Sequence, residues 1–176
     1  TDLGRLKLMP TRKESFEVIQ KVLAVLLQKN IIPIVLGGGH DISYAIYRAY
    51  ADISKYVSLT VVDKKFDIGL EEDKLASHSY FGKIMRHNPS YLFHYTNIGY
   101  QTHFVSPAAV KMLNKMNFDL MRLGNLKSNL VDVEPAMRNT DFLSFDISAI
   151  QSFVSYQDYS NLDFQQQQSY PLNSHV

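Results

Sequence analysis

Four residues of the types that hold a divalent cation stand at or shortly after the ends of apolar runs. His40 follows the stretch Ile31–Leu36 and the glycines Gly37, Gly38 and Gly39. Asp63 closes VSLTVVD, and Asp67 follows it after Lys64, Lys65 and Phe66. Asp146 lies within FLSFDIS, two residues before Ser148. One imidazole and three carboxylates form a mixed nitrogen and oxygen donor set, which suits Mn²⁺ or a similar borderline ion. If the two later stretches stay extended, side chains alternate with period two. Asp63, Lys65 and Asp67 then share one side, and so do Asp146 and Ser148.

Such convergence needs parallel strands whose carboxyl ends share an edge, which is where ligands bind in open α/β sheets. Ile31–Leu36, Val57–Asp63, Tyr91–Ile98 and the stretch carrying Asp146 read as buried strands, and Phe118–Leu123 as a short one. Between them the periodicity predicts helices. Thr11 to Glu14 fits a capping box, and Phe16, Ile19, Val22, Leu23 and Leu26 follow as an apolar stripe. A second helix starts near Asp41 with Ile42, Ala45, Ile46 and Ala49 inward. Tyr80–Arg86 reads as a short helix, and Ser106 with Pro107 as the start of another. Ser128–Arg138 reads as a weak helix interrupted by Pro135. Alternating strands and helices imply parallel pairing with right-handed crossovers.

GGGHD, VVDKKFD and SFDIS, in this order, resemble the motifs of the arginase, agmatinase and formimidoylglutamase family, the ureohydrolases. The similarity runs from about Thr11 to Ile150. It implies an arginase-like, three-layer α/β/α fold with a mainly parallel sheet over residues 1–150. It also implies Mn²⁺-dependent hydrolysis of a guanidino or formimino C–N bond in a small amidine or guanidino compound. His40, Asp63, Asp67 and Asp146 match the ligands of the family's first metal. The second metal's own ligands, a histidine and an aspartate, are replaced here by Lys65 and Ser148. Four aspartates offset two Mn²⁺ in the family pattern. Three aspartates here would be offset by one Mn²⁺ and the Lys65 ammonium, expected to stand between Asp63 and Asp146. The resemblance therefore implies at most one ion per chain, or none, and leaves turnover open. A non-catalytic binding or structural relative of the family is the alternative. His78 follows the second motif, where the family places a substrate-side residue.

Each feature also has a plainer reading. The glycines could make an ordinary strand-to-helix turn, His40 could be a hydrogen-bonded structural residue, and Lys64 and Lys65 could neutralise the carboxylates without metal. His87, His94 and His103 have no partner at ligand spacing. A phosphate-binding loop is disfavoured, since no Gly-Lys-Ser/Thr follows the glycines and Asp41, Asp63 and Asp67 would repel phosphate. A net charge of +1 gives no reason to expect nucleic acid or a membrane as partner. No apolar run reaches membrane-spanning length, and the expected location is cytoplasmic. The absence of cysteine excludes disulfides and thiolate metal sites. A homo-oligomer is compatible with this composition. Residues 151–176 are polar, aromatic and glutamine-rich, and are expected to be a poorly ordered tail. The chain opens at Thr1 with its first motif about thirty residues in, so a fragment of a longer protein is expected.

Overall fold

The computed structural model describes residues 1–7, 9–69 and 75–150. The expected tail, 151–176, lies outside them, as does most of the acidic loop after Gly69. In chain order the elements are helices α1 (Arg12–Gln28) and α2 (Ile42–Asp52), strand β1 (Val57–Val62), helix α3 (Tyr80–Met85) and strand β2 (Leu92–Tyr100). Helix α4 (Pro107–Lys115), strand β3 (Asp119–Arg122), helices α5 (Leu123–Ser128) and α6 (Val133–Arg138), and strand β4 (Phe142–Phe145) follow. The strands form one sheet in the order β3-β2-β1-β4, with every pairing parallel. This is an α/β fold with helices flanking a parallel sheet.

Local chemistry explains where the helices begin. The Thr11 hydroxyl accepts from the Glu14 backbone N–H at 3.2 Å, and a Glu14 carboxylate oxygen accepts from the Thr11 N–H at 3.1 Å. Two otherwise orphaned amides of α1 are satisfied in this way. Ser106 caps α4 by accepting from the Ala109 N–H at 3.1 Å. The predicted helix over Ser128–Arg138 forms only in its later part. The chain instead forms α5 earlier, a 3₁₀ turn at Leu130–Asp132 and then α6, in which Pro135 sits in the first turn. There its missing N–H costs nothing, since the first amides of a helix have no intrahelical acceptor.

Packing holds the sheet rigid behind its carboxyl edge. Val57, Leu59, Val61, Tyr95 and Phe142 share one face, because paired residues of parallel strands point the same way. Tyr47 and Tyr50 of α2, Phe81 and Ile84 of α3, and Leu113 of α4 are buried in the same cluster. The Phe81 and Tyr95 rings stack with centroids 3.8 Å apart. Ile19 and Leu23 of α1 pack on Ala45 and Ala49 of α2, extending the core outward. Burial of each large side chain contributes roughly 1.5–3 kcal/mol.

One expected strand is absent. Ile31–Leu36 forms no strand, and Ile32, Ile34 and Leu36 are 90%, 85% and 90% exposed. Among the described residues β4 pairs only with β1, so its other edge meets no ladder. Apolar, β-branched composition shows that a segment suits a pleated, half-buried surface. It becomes a strand only when a neighbouring edge supplies the hydrogen bonds, and Pro33 removes one donor of its own.

Candidate metal centre

Register brings the carboxylates together. Val62 pairs with Phe145, so Asp63 and Asp146, the next residues, emerge abreast from β1 and β4. The Asp146 N–H donates to the Val62 carbonyl at 3.0 Å and the Asp63 N–H to the Ile98 carbonyl at 3.2 Å, which continues the ladder to the strand ends. Beyond Asp63 the chain bends at Lys64 and Lys65 and reaches Asp67 with φ +49°. His40 arrives from the other side, past Gly37 and Gly38, whose φ values of +93° and +88° are open to glycine at no steric cost.

These four side chains converge. His40 Nδ1 lies 3.2 Å from Asp63 Oδ2, 3.1 Å from Asp67 Oδ2 and 3.3 Å from Asp146 Oδ2. Donor atoms of His40, Asp63 and Asp146 lie within 4.8 Å of one another, and Asp67 joins the cluster through His40. Side-chain exposure is 7% for His40, 2% for Asp63, 7% for Asp67 and 27% for Asp146. Three carboxylates surround one ring nitrogen that carries at most one proton.

The titration behaviour follows from that crowding. Burial alone would lower the His40 pKa, but hydrogen bonding to Asp146, Asp63 and Asp67 raises it well above the ordinary 6.5. Burial raises Asp67 to about 7; His40 opposes this and Asp63 adds to it. Asp146, which burial would raise, is lowered to about 2 by His40 and by the Ser148 N–H.

The other ring nitrogen is held separately. His40 Nε2 lies 2.9 Å from Ser144 Oγ and 3.3 Å from the Tyr80 hydroxyl, and Ser144 Oγ lies 2.7 Å from Ser43 Oγ. If Nε2 carries the proton and donates to Ser144, the Nδ1 lone pair faces the carboxylates, the arrangement a metal-ligating imidazole requires. Ser144 was legible in SFDIS, since alternation places it on the face of Asp146. Ser43 lies one helical turn after His40. Nothing in the sequence singled out Tyr80.

The donor set fits a divalent ion. One imidazole nitrogen and three carboxylates at adjacent strand ends would surround it, and its charge would offset theirs. The ammonium of Lys65, expected between Asp63 and Asp146, stands near Phe104. Nζ lies 5.9 Å from the Phe104 ring centroid, and Lys65 meets Asp63 through its backbone N–H, 3.1 Å from Oδ1. The bend at Lys64 and Lys65 breaks the alternation that would have aligned Lys65 with the aspartates. Ser148 donates its backbone N–H to Asp146 Oδ1 at 2.7 Å. His78 is exposed and stands outside the group of converging donor atoms. No helix among the described residues is long and apolar enough to cross a membrane.

A model of the arginase family matches residues 1–154. No curated protein matches. Among solved structures, a variant of Trypanosoma cruzi formiminoglutamase with Mn²⁺ superposes with a TM-score of 0.71 at 21% identity, covering 80% of this chain and 50% of that one. The formimidoylglutamase of Bacillus subtilis gives 0.66 at 19% identity, covering 81% and 47%. An arginase from Medicago truncatula gives 0.58 at 20%, covering 70% and 39%. The chain thus spans about half the length, or less, of these structures.

Proposed function

The chain belongs to the arginase family, and from that premise we propose that it is a ureohydrolase-like protein with a single Mn²⁺ centre formed by His40, Asp63, Asp67 and Asp146. The observation that carries this reading is the meeting of three carboxylate oxygens at 3.1–3.3 Å around His40 Nδ1. Among the described residues, the ion pairs of these carboxylates are all with that one imidazole. A bound Mn²⁺ would act as a Lewis acid and lower the pKa of water at the site. The chain's own part is to present four donors at one sheet edge, hold the His40 ring through Ser144 and Tyr80, and keep the Nδ1 lone pair inward. The ligand class is a small amidine or guanidino compound, by analogy with the formiminoglutamases and the arginase that the fold resembles.

Two replaced side chains support one ion rather than two. Asp63 and Asp146 each turn Oδ2 towards His40, while Oδ1 accepts a backbone N–H from Lys65 or Ser148 and keeps a lone pair. A second ion beside them would find neither imidazole nor carboxylate at positions 65 and 148. Lys65 and Ser148 themselves occupy the positions where the family pattern has the second metal's ligands. The same replacements favour a second reading, a relative that binds metal or ligand without turnover. Elemental analysis after Mn²⁺ loading should give about one ion per chain. Hydrolysis of arginine, agmatine and formiminoglutamate by the loaded protein then separates the readings. No bound metal at saturating Mn²⁺ would refute the proposed centre.

A further inference from the structure

We propose that Asn97 is a positioning residue for this centre: its carboxamide holds the bend between Asp63 and Asp67 in the shape that lets both carboxylates reach His40. The inference rests on the metal reading above and adds a residue outside the donor set.

Asn97 lies on β2 and is fully buried. Val61 pairs with both Asn97 and Ser144, so these side chains share the face that carries Asp63 and Asp146. Its neighbours on that face, Leu59, Val61 and Tyr95, belong to the apolar core. A leucine could fill such a position without desolvating an amide. Asn97 Nδ2 donates to the Lys65 carbonyl at 3.0 Å. That contact fixes the orientation of the amide, since Oδ1 in the same place would face another oxygen. Oδ1 is then left buried without a hydrogen-bond partner among the described residues. A buried acceptor without a donor is unfavourable, so the amide must be offset by what its other end does.

What Nδ2 does is complete a set of restraints on five residues. The Lys65 N–H donates to Asp63 Oδ1 at 3.1 Å. The Gln101 N–H donates to the Lys64 carbonyl and the Phe81 N–H to the Asp67 carbonyl, at 3.0 and 3.1 Å. Asp67 sits at φ +49°, where a non-glycine residue is disfavoured unless its surroundings hold it. Two of these restraints are backbone contacts available to many sequences, and the third is made by Asp63 itself. The hold on the Lys65 carbonyl is made by a side chain from outside the bend, and it comes from the middle of the neighbouring strand.

The test compares Asn97→Leu and Asn97→Asp with the parent. Mn²⁺ affinity is measured by isothermal titration, and the unfolding midpoint both in EDTA and in saturating Mn²⁺. The expected result is a folded Asn97→Leu protein whose midpoint in EDTA is at or above the parent's, with Mn²⁺ binding weakened about tenfold or more. Asn97→Asp, which keeps the shape but turns an oxygen to the Lys65 carbonyl, should weaken binding at least as much. Affinity within about twofold of the parent in either folded variant would overturn the proposal, and loss of folding by both would make Asn97 structural instead. If the parent itself takes up no Mn²⁺, the metal reading fails separately. Hydrogen exchange of the Lys65 amide in the metal-free protein then decides. Faster exchange there in Asn97→Leu, with β1 unchanged, upholds the hold; unchanged exchange overturns it.

Discussion

At the scale of single residues, the centre is governed by how many protons the cluster carries. In the metal-free fold His40 is raised well above 6.5 and Asp67 is raised to about 7 from 3.8. Between about pH 4 and 7 the folded chain therefore binds more protons at these groups than the unfolded chain. Stability falls with rising pH where the native state holds the extra protons, so the metal-free protein should lose stability across this window. Asp146, lowered to about 2 from 3.8, acts oppositely and only at lower pH; its contribution is present above 3.8 and lost as pH falls through 2. Mn²⁺ must displace the same protons, so its affinity should rise as pH passes through about 7. Denaturant melts in EDTA and Mn²⁺ titrations at pH 5, 6, 7 and 8 check both slopes; a flat affinity profile would contradict them. The replaced positions allow a second experiment. Changing Lys65→His and Ser148→Asp together adds two donors and removes one positive charge. Bound Mn²⁺ should rise by about one per chain, as read by elemental analysis.

At the scale of elements, two local geometries make opposite predictions. The Gly82 position in α3 is pressed against the loop that follows Asp67. A Cβ placed there would lie 1.8 Å from the Ile68 carbonyl oxygen, a backbone atom that cannot swing aside. Gly82→Ala should therefore destabilise the fold by several kcal/mol and weaken Mn²⁺ binding, because Ile68 adjoins a ligand. The run Ile31–Leu36 behaves in the other way. Ile34 is 85% exposed, so Ile34→Lys should alter stability by no more than about 0.5 kcal/mol. It should also reduce concentration-dependent association, since a charge interrupts an exposed apolar run. Chemical denaturation and light scattering measure the two effects. A loss of more than about 2 kcal/mol would show that this run packs as a buried strand.

At the scale of the whole molecule, the centre joins segments far apart in sequence. The donors come from the turn before α2, the end of β1 with its bend, and the end of β4. A ligand held only when all three are in place binds the folded state alone, and stabilises it by RT ln(1 + [L]/Kd). Mn²⁺ at a hundredfold excess over its dissociation constant should thus add about 2.7 kcal/mol and raise the thermal midpoint by several degrees. EDTA should reverse the rise. An Asp63→Asn variant should lose most of it.

Much of this was written in local sequence. The three motifs named the family and the four side chains that converge, because the chemistry proposed for them demands particular residue types just past strand ends. The capping box at Thr11 and the proline after Ser106 placed two helix starts, because caps depend on neighbouring residues alone. Other features depended on contacts between distant segments. Ile31–Leu36 has strand composition without a strand, since ladder hydrogen bonds need an adjacent edge. Lys65 left the line of Asp63 and Asp67 because the chain bends there, and alternation holds only for extended backbone. Ser43, Ser144 and Tyr80 met around His40 through the packing of α2, β4 and α3, and Asn97 reached the Lys65 carbonyl from the neighbouring strand. Residue identity decided which atoms could ligate a metal, and the order and register of the strands decided which of them meet.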